Sequence, residues 1–527
     1  MSTLLPNELW LEVLHNLPPE GLSNIASTHR NLHALIRPLI FKKFTYYPYN
    51  FWHHQQHGRI IHHPPPAQAA HILEQLEFWA SDEIAPLVRA CEVVSSGEWR
   101  HTAGEHGTVE YLDLDENLGE NPDSPAGYAL LDAFFLHLGR FTGLRTLHTH
   151  TADVRFSALA INALCLLPVL DDLRIQAYNI AADTPANPSL RLSVSRLALV
   201  QTLWSHTQNA VWLRILDREC LRELVVTGRD LEAEVSSILE GMPFPNVHSL
   251  KLSLANTPSK SQTSAILSQL PSIRELALLG AEPEIPNIPT AALDFTWGVD
   301  GSDHGGDMRL PALTHYSGPL VTVPTFISTL TKLAITAPAC KPDDVIRVLR
   351  GTWRRPTNIS SLTLELDLAR DGEVMYAGLE VLGSFLEGVE ELKVTVCLSN
   401  KHHWDYEELN QVPSANNFKF FRDLARDPTA FPASLRRLAI SWRLPVNGVF
   451  SKYHYKARDR SDTDINLVDL RESLLGQCVG LSALWIDGYD FGLSWFRPRD
   501  GAAREWIGVE RDEVIVTRKL DLGTFVG

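Results

Sequence analysis

The chain has 527 residues, 44% hydrophobic and 21% charged, with a formal net charge of -16 at pH 7. That length suits several domains or one long repeat array, and that charge argues against a nucleic-acid surface, which needs clustered Lys and Arg. Six cysteines (Cys91, Cys165, Cys220, Cys340, Cys397, Cys478) lie far apart with no CxxC pair, which speaks against a zinc finger and against a disulfide framework.

A reduced, intracellular chain in cytoplasm or nucleus is the expectation. Asn7 and Glu8 interrupt the apolar residues of the N-terminus, and no basic segment precedes them, so no secretory signal is expected. No stretch of about 18 uninterrupted apolar residues occurs, so no membrane contact is expected either.

From Leu5 the chain reads LPNELWLEVLHNLPPEGLSNIASTHRNLHALIRPLIF, ending at Phe41. Leu5, Leu9, Val13 and Leu17 recur every four residues with Leu14 filling the stripe, which predicts an amphipathic helix. Pro6 suits a first turn, where its missing N–H has no intrahelical partner, and Pro18-Pro19 stops the helix. Leu22, Ile25 and Ala26 predict a second short helix. Leu32, Leu35, Ile36 and Leu39 predict a third, bent or ended by Pro38. Some 40 residues are too few for a comfortable independent core, so surplus leucines here call for a partner or for the rest of the chain.

Leu5-Pro6-x-Glu8-Leu9, followed by Leu14, Leu17, Leu22 and Ile25, resembles the F-box over roughly Thr3 to Phe44. The pattern departs where many F-boxes have Trp and this chain has Leu32. The resemblance implies a small all-α three-helix module that docks on a Skp-type adaptor and, through it, a cullin. It implies adaptor contact through Leu5, Pro6, Leu9, Leu14, Leu17, Leu22 and Ile25, with Leu32 and Leu35 completing the packing. An ordinary helical cap on a larger domain would use the same leucines as core.

Residues 45–84 read as a connector followed by a helix. The connector holds Tyr46-Tyr47-Pro48-Tyr49, five histidines (His53, His54, His57, His62, His63) and Pro64-Pro65-Pro66; Ile72, Leu76 and Trp79 mark the helix. A first strand is expected at Leu87–Val94. One phrase then recurs about ten times: LRTLHTH from Leu144, LDDLRIQ from Leu170, LRELVVTG from Leu221, VHSLKLSL from Val247, IRELALLG from Ile273, LTKLAIT from Leu330, ISSLTLEL from Ile359, VEELKVTV from Val389, LRRLAISW from Leu435 and LSALWIDG from Leu481. The fourth residues are about 26 apart in several intervals (Leu147 to Leu173, Leu224 to Leu250, Leu250 to Leu276) and about 30 between Leu362 and Leu392.

Helical spacing fills the intervals at Ser157–Pro168, Val235–Pro243, Gln262–Pro271, Asp343–Trp353 and Tyr376–Leu386. The predicted fold over 85–494 is therefore an α/β solenoid, irregular and leucine-rich-repeat-like, with parallel strands and returning helices. Insertions fall near 281–312, 399–430 (with a helical piece near Phe418–Leu424) and 446–466, and 495–527 forms a C-terminal cap. A plain α/β domain is the alternative. With the N-terminal module, the chain resembles F-box proteins with degenerate leucine-rich repeats, of the fungal type.

Little else carries chemistry. The histidines at 53–63 lack metal-ligand spacing. Asp300–Asp307 resembles a calcium loop but has Pro311 where the terminal Glu belongs. No phosphate loop, dinucleotide fingerprint, nucleophile elbow or activated cysteine is legible. No catalytic residue, cofactor or metal is therefore expected. Of Trp204, Trp212, Trp297, Trp353, Trp404, Trp442, Trp485 and Trp495, those in insertions (Trp297, Trp404) are the better ligand candidates, and Trp442 and Trp485 sit at strand positions. The function implied by the resemblance is substrate recognition in an SCF-type ubiquitin ligase, with a protein target held by the repeats. The alternative is a non-catalytic repeat scaffold whose F-box joins no ligase.

Overall fold

The structure is a computed structural model and describes residues 6–54, 58–95, 108–112, 129–183, 187, 189–201, 209–227, 243–254, 267–280, 313–320, 323, 329–352, 359–370, 373–374, 379, 382–383, 386–397, 412–443, 466–488, 491–497 and 504–508. Its contacts divide the chain into two compact units, Met1–Ser272 and Ile273–Gly527.

The first unit begins with three helices, α1 (Asn7–His15), α2 (Pro19–Ala26) and α3 (Arg30–Ile40). The Pro6 carbonyl accepts from the amides of Leu9 and Trp10, both at 3.1 Å, and so opens α1. The double proline does more than stop a helix: α1 already ends at Asn16, and Pro18 and Pro19 supply the N-cap and first position of α2. His29 caps α3, its Nδ1 accepting from the Asn31 amide at 3.1 Å. Pro38, expected to bend or end α3, does not end it. It lies in the last turn, and the Phe41 amide still reaches the Arg37 carbonyl at 3.1 Å. Leu14, Leu22 and Ile36 form the buried centre of the three helices, with Leu17, Ile25, Leu32 and Leu35 packed around them.

The segment expected to be an irregular connector is largely strand. β1 (Lys43–Tyr46) joins the sheet of this unit, while β2 (Asn50–His54) and β3 (Gly58–His63) form an antiparallel hairpin. The alternation of Phe44 and Tyr46 against Lys43 and Thr45 was the sequence signal for β1. Helix α4 (Pro66–Trp79) starts on the third proline of the run. β4 (Ala90–Val94) follows, and β5 (Thr108–Leu112) pairs with β3. Then come α5 (Ala129–His137), β6 (Thr146–Phe156), α6 (Ala158–Cys165), β7 (Asp172–Ala182), β8 (Arg196–Gln201), α7 (Asn209–Ile215), β9 (Glu223–Thr227) and β10 (Ser249–Leu254). Ser157 caps α6 through its hydroxyl.

In this unit the sheet runs β1-β4-β6-β7-β8-β9-β10, all parallel. Its register places the fourth residue of each phrase opposite the next: Phe44, Cys91, Leu147, Leu173, Leu197, Leu224 and Leu250 form one unbroken buried row. Phe44 stacks on Trp79 of α4 with ring centroids 4.8 Å apart, so the helices cover this row's face. Residues one position to either side point to the opposite, more exposed face.

The second unit contains β11 (Glu275–Gly280), β12 (His315–Gly318), β13 (Lys332–Cys340), α8 (Pro342–Thr352), β14 (Ser361–Asp367), the short antiparallel pair β15 (Ala369–Arg370) and β16 (Glu373–Val374), β17 (Glu391–Cys397), α9 (Val412–Arg426), β18 (Arg437–Arg443), α10 (Leu467–Gln477), β19 (Ala483–Asp487), β20 (Gly492–Phe496) and β21 (Arg504–Gly508). Its row is Leu276, Tyr316, Leu333, Leu362, Leu392, Leu438 and Leu484. After β19 the direction reverses, and β20 and β21 pair antiparallel.

Between Leu147 and Leu484 two strands of the rows escaped the phrase count, those of Leu197 and Tyr316; they fill the double-length interval before Leu224 and the irregular gap before Leu333. Residues 235–242 of the Val235–Pro243 interval and the first half of Gln262–Pro271 lie outside the described residues, as do 281–312, the first part of the 399–430 insertion, nearly all of 446–466, and Val514–Val516.

Candidate functional site: the exposed ridge of the N-terminal helices

The first helix divides its apolar residues between two directions. Leu14 is completely buried against Leu22 and Ile36, whereas Leu9 is 46% exposed and Val13 48% exposed. Trp10 and Leu11 are half-buried. Leu9 and Val13 stand four residues apart, one turn above another on a single helix face. An apolar ridge therefore runs along α1 beside the small core.

Among the sequence-based candidates, Pro6 and Leu9 are exposed, Leu17, Ile25, Leu32 and Leu35 are half-buried around the core, and Leu14 and Leu22 lie inside it. Leu5 lies outside the described residues. Val13 was visible in the every-fourth-residue stripe, but the sequence did not separate it from the inward-facing Leu14. Only the packing of α2 and α3 against α1 makes that distinction.

The module is tied to the sheet that follows it. Arg37 Nη2 donates to the Glu83 carboxylate at 2.8 Å and to the Glu83 carbonyl at 3.2 Å. Phe41 meets the rings of Trp79 and Phe78 edge-on, with centroids 5.4 Å and 6.0 Å apart. Aromatic contacts of this kind favour defined geometry as well as burial. Phe41, Phe78 and Glu83 carry no sequence motif that foretells this seam; their roles come from the end of α4 meeting the end of α3.

Five of the six cysteines are held as thiols. Burial pushes Cys165 and Cys478 up to about 11 and Cys340 up to about 12. Burial also raises Cys91, and burial with a hydrogen bond to Asp217 raises Cys220. A nucleophilic or transfer-active cysteine needs the opposite shift. Among the described residues no three His, Cys, Asp or Glu side chains gather closely enough to hold a metal ion, and no helix is long and apolar enough to cross a membrane. His53, His54, His62 and His63 lie on described strands but their side chains are not described, and His57 and Asp300–Asp307 lie outside the described residues. Trp212, Trp442 and Trp495 are buried and Trp485 is half-buried, while Trp204, Trp297, Trp353 and Trp404 lie outside the described residues.

Comparison with known families agrees with this placement. The F-box domain model matches residues 3–44. F-box domains generally bind Skp-type adaptors, and proteins that carry them are typically non-catalytic. No curated protein sequence matches the chain.

Proposed function

We propose that this protein is the substrate-recognition subunit of an SCF-type ubiquitin ligase. Its N-terminal helices bind a Skp-type adaptor, which links it to a cullin, and its strand-and-helix region holds a protein target. The observation that carries the reading is the F-box at 3–44 together with its outward ridge of Leu9 and Val13. Adaptor contact then falls on Pro6, Leu9 and Val13 with the exposed rims of Leu17, Ile25, Leu32 and Leu35, while Leu14 and Leu22 act by holding the helices together. The protein would perform no covalent step. It would raise the local concentration of a target beside a charged conjugating enzyme and limit the target's orientations.

The region after the F-box reads best as an irregular leucine-rich-repeat-like solenoid. Two in-register apolar rows, each repeated strand by strand under returning helices, support it.

The test is co-purification with a Skp-type adaptor, comparing wild type with Leu9→Asp/Val13→Asp and with the core variant Leu14→Ala. The ridge variant should keep its helical signal and thermal midpoint while losing the adaptor. The core variant should lose stability first. No capture of the wild type would overturn the assignment, and undiminished capture of a folded ridge variant would overturn the interface.

A further inference from the structure

On the first unit's sheet, the residues immediately after the buried leucines form a second row on the opposite face: His148, Arg174, Ala198, Val225 and Lys251, in register from β6 to β10. Arg174 and Lys251 are exposed, and Ala198 and Val225 are half-buried between them. Val200, two residues along β8 from Ala198, widens this small apolar floor. The acid nearest the arginine end, Asp172, is already engaged by Arg196 at 2.9 Å and by His148 at 3.4 Å. Among the described residues Arg174 Nη2 donates to the neutral Gln176 side chain at the long distance of 3.5 Å, and its charge also acts on Asp172. Glu223 lies one row away, paired in register with Arg196 and Ser249. The matching row of the second unit (Ala334, Thr363, Lys393 and Ala439) has a single charge. The paired cations of the first unit are thus a local feature on a chain of net charge -16.

We propose that this row binds an extended acidic peptide segment of a protein target, with anionic side chains at positions i and i+4 and a small apolar side chain at i+2. Arg174 and Lys251 are three strands apart, about 14 Å at the usual spacing between strands. An extended peptide advances about 3.3 Å per residue and presents alternate side chains to one face, so positions i and i+4 reach the two cations while i+2 meets Ala198 and Val225. Charge complementarity selects the acidic class, and the apolar floor selects a peptide over a uniformly charged polymer. The proposal rests on the target-binding reading for the source of the peptide, but binding itself requires no adaptor.

The experiment uses the full chain without adaptor and nine-residue fluorescein-labelled peptides. Each peptide carries two glutamates separated by one, three or five residues, with valine midway and glycine and serine elsewhere, and binding is read by fluorescence anisotropy. Affinity should peak at three intervening residues. It should fall about tenfold or more in Arg174→Glu/Lys251→Glu, since two exposed attractions become repulsions, and stay unchanged in Lys393→Glu. Folding of each variant is checked by circular dichroism, and Arg174→Gln/Lys251→Gln provides a milder version expected to lose part of the affinity. Absence of a spacing optimum, or equal binding by wild type and a folded charge-reversed variant, overturns the proposal. So does a 20-base-pair DNA duplex binding more tightly than every peptide. Retention of the adaptor by the charge-reversed variant keeps this result separate from the ligase assignment.

Discussion

Arg37 in the last turn of α3 and Glu83 beyond α4 are joined twice, the guanidinium reaching both the carboxylate and the backbone carbonyl of the same residue. Next to this contact, Phe41 and Phe44 pack on Trp79. The F-box is therefore seated on the first unit of the sheet instead of hanging from a loose tether, and an adaptor bound to α1 would meet that unit in a defined orientation. The ion pair is partly exposed, so a double-mutant cycle on Arg37→Ala and Glu83→Ala should give a coupling of about 0.2–1 kcal/mol in urea unfolding.

Trp79 should matter more than the ion pair. Its indole contacts Phe41, Phe44 and Phe78, and truncating a large aromatic in such a cluster costs about 3 kcal/mol. Trp79→Ala is expected to raise hydrogen exchange in α3 and β1 while leaving β18 and β19 unchanged. Equal loosening of both units would show that Trp79 serves general stability and not this seam.

The buried row makes a sharp contrast between adjacent residues. Leu438 is completely buried in register with Leu392 and Leu484, whereas its neighbour Arg437 lies on the other face in a half-exposed pair with Glu391 at 3.2 Å. Leu438→Ala should cost about 2–5 kcal/mol through lost contacts and a residual cavity. Arg437→Ala should cost under about 1 kcal/mol. Denaturant midpoints with unchanged slope would measure both, and similar losses at the two sites would contradict the assignment of faces.

The recurring phrase made the parallel strands legible because period-two alternation with leucine at a fixed place is a direct image of a one-sided buried strand. Where the row accepts a different residue, the phrase disappears while the strand stays: Phe44, Cys91 and Tyr316 occupy the same place without spelling the pattern. β1 was hidden for this reason, inside a segment whose histidines and prolines suggested irregular chain. The F-box ridge was only half legible. A helix of leucines states that apolar surface exists, but the division into inward Leu14 and outward Leu9 and Val13 depends on where α2 and α3 lie. The Arg174–Lys251 row was invisible as a unit because its members are separated by whole repeats and meet only through register.

Glycine substitutions offer a test of close packing at the start of the repeats. At Gly143 an added Cβ would overlap the Pro86 carbonyl oxygen and press on the Arg89 guanidinium, which itself donates to the Gly143 carbonyl at 3.0 Å. Backbone cannot rotate aside as a side chain can, so Gly143→Ala should destabilise by about 1–3 kcal/mol. At Gly139, in the short turn after α5, a Cβ meets nothing within 4 Å. Gly139→Ala should be neutral or mildly stabilising, because alanine lowers the entropy of the unfolded chain. A thermal-shift comparison of the two variants decides the point, and a Gly143→Ala protein as stable as wild type would mean that Pro86 and Gly143 are not held this closely.

Acid should uncover the Asp172 network. Its carboxylate accepts a hydrogen bond from His148, and Arg196 adds an attractive charge; burial opposes them, and the net effect holds Asp172 below the ordinary value of 3.8. A carboxylate with a lowered folded-state pKa binds its proton more readily when unfolded. Its stabilising contribution is therefore complete above the ordinary carboxylate range and is lost as pH falls through that range toward the lowered folded value. Asp172→Asn removes the titrating group but keeps its shape. At neutral pH the variant should be less stable than wild type. The gap should close on acidification below about pH 4, as the wild-type carboxylate becomes neutral too. Unfolding free energies of both proteins from pH 7 to pH 3 provide the measurement. A gap that stays constant across the range would assign the loss to packing or to the amide's own hydrogen bonds, and a gap that widens in acid would reverse the sign of the linkage.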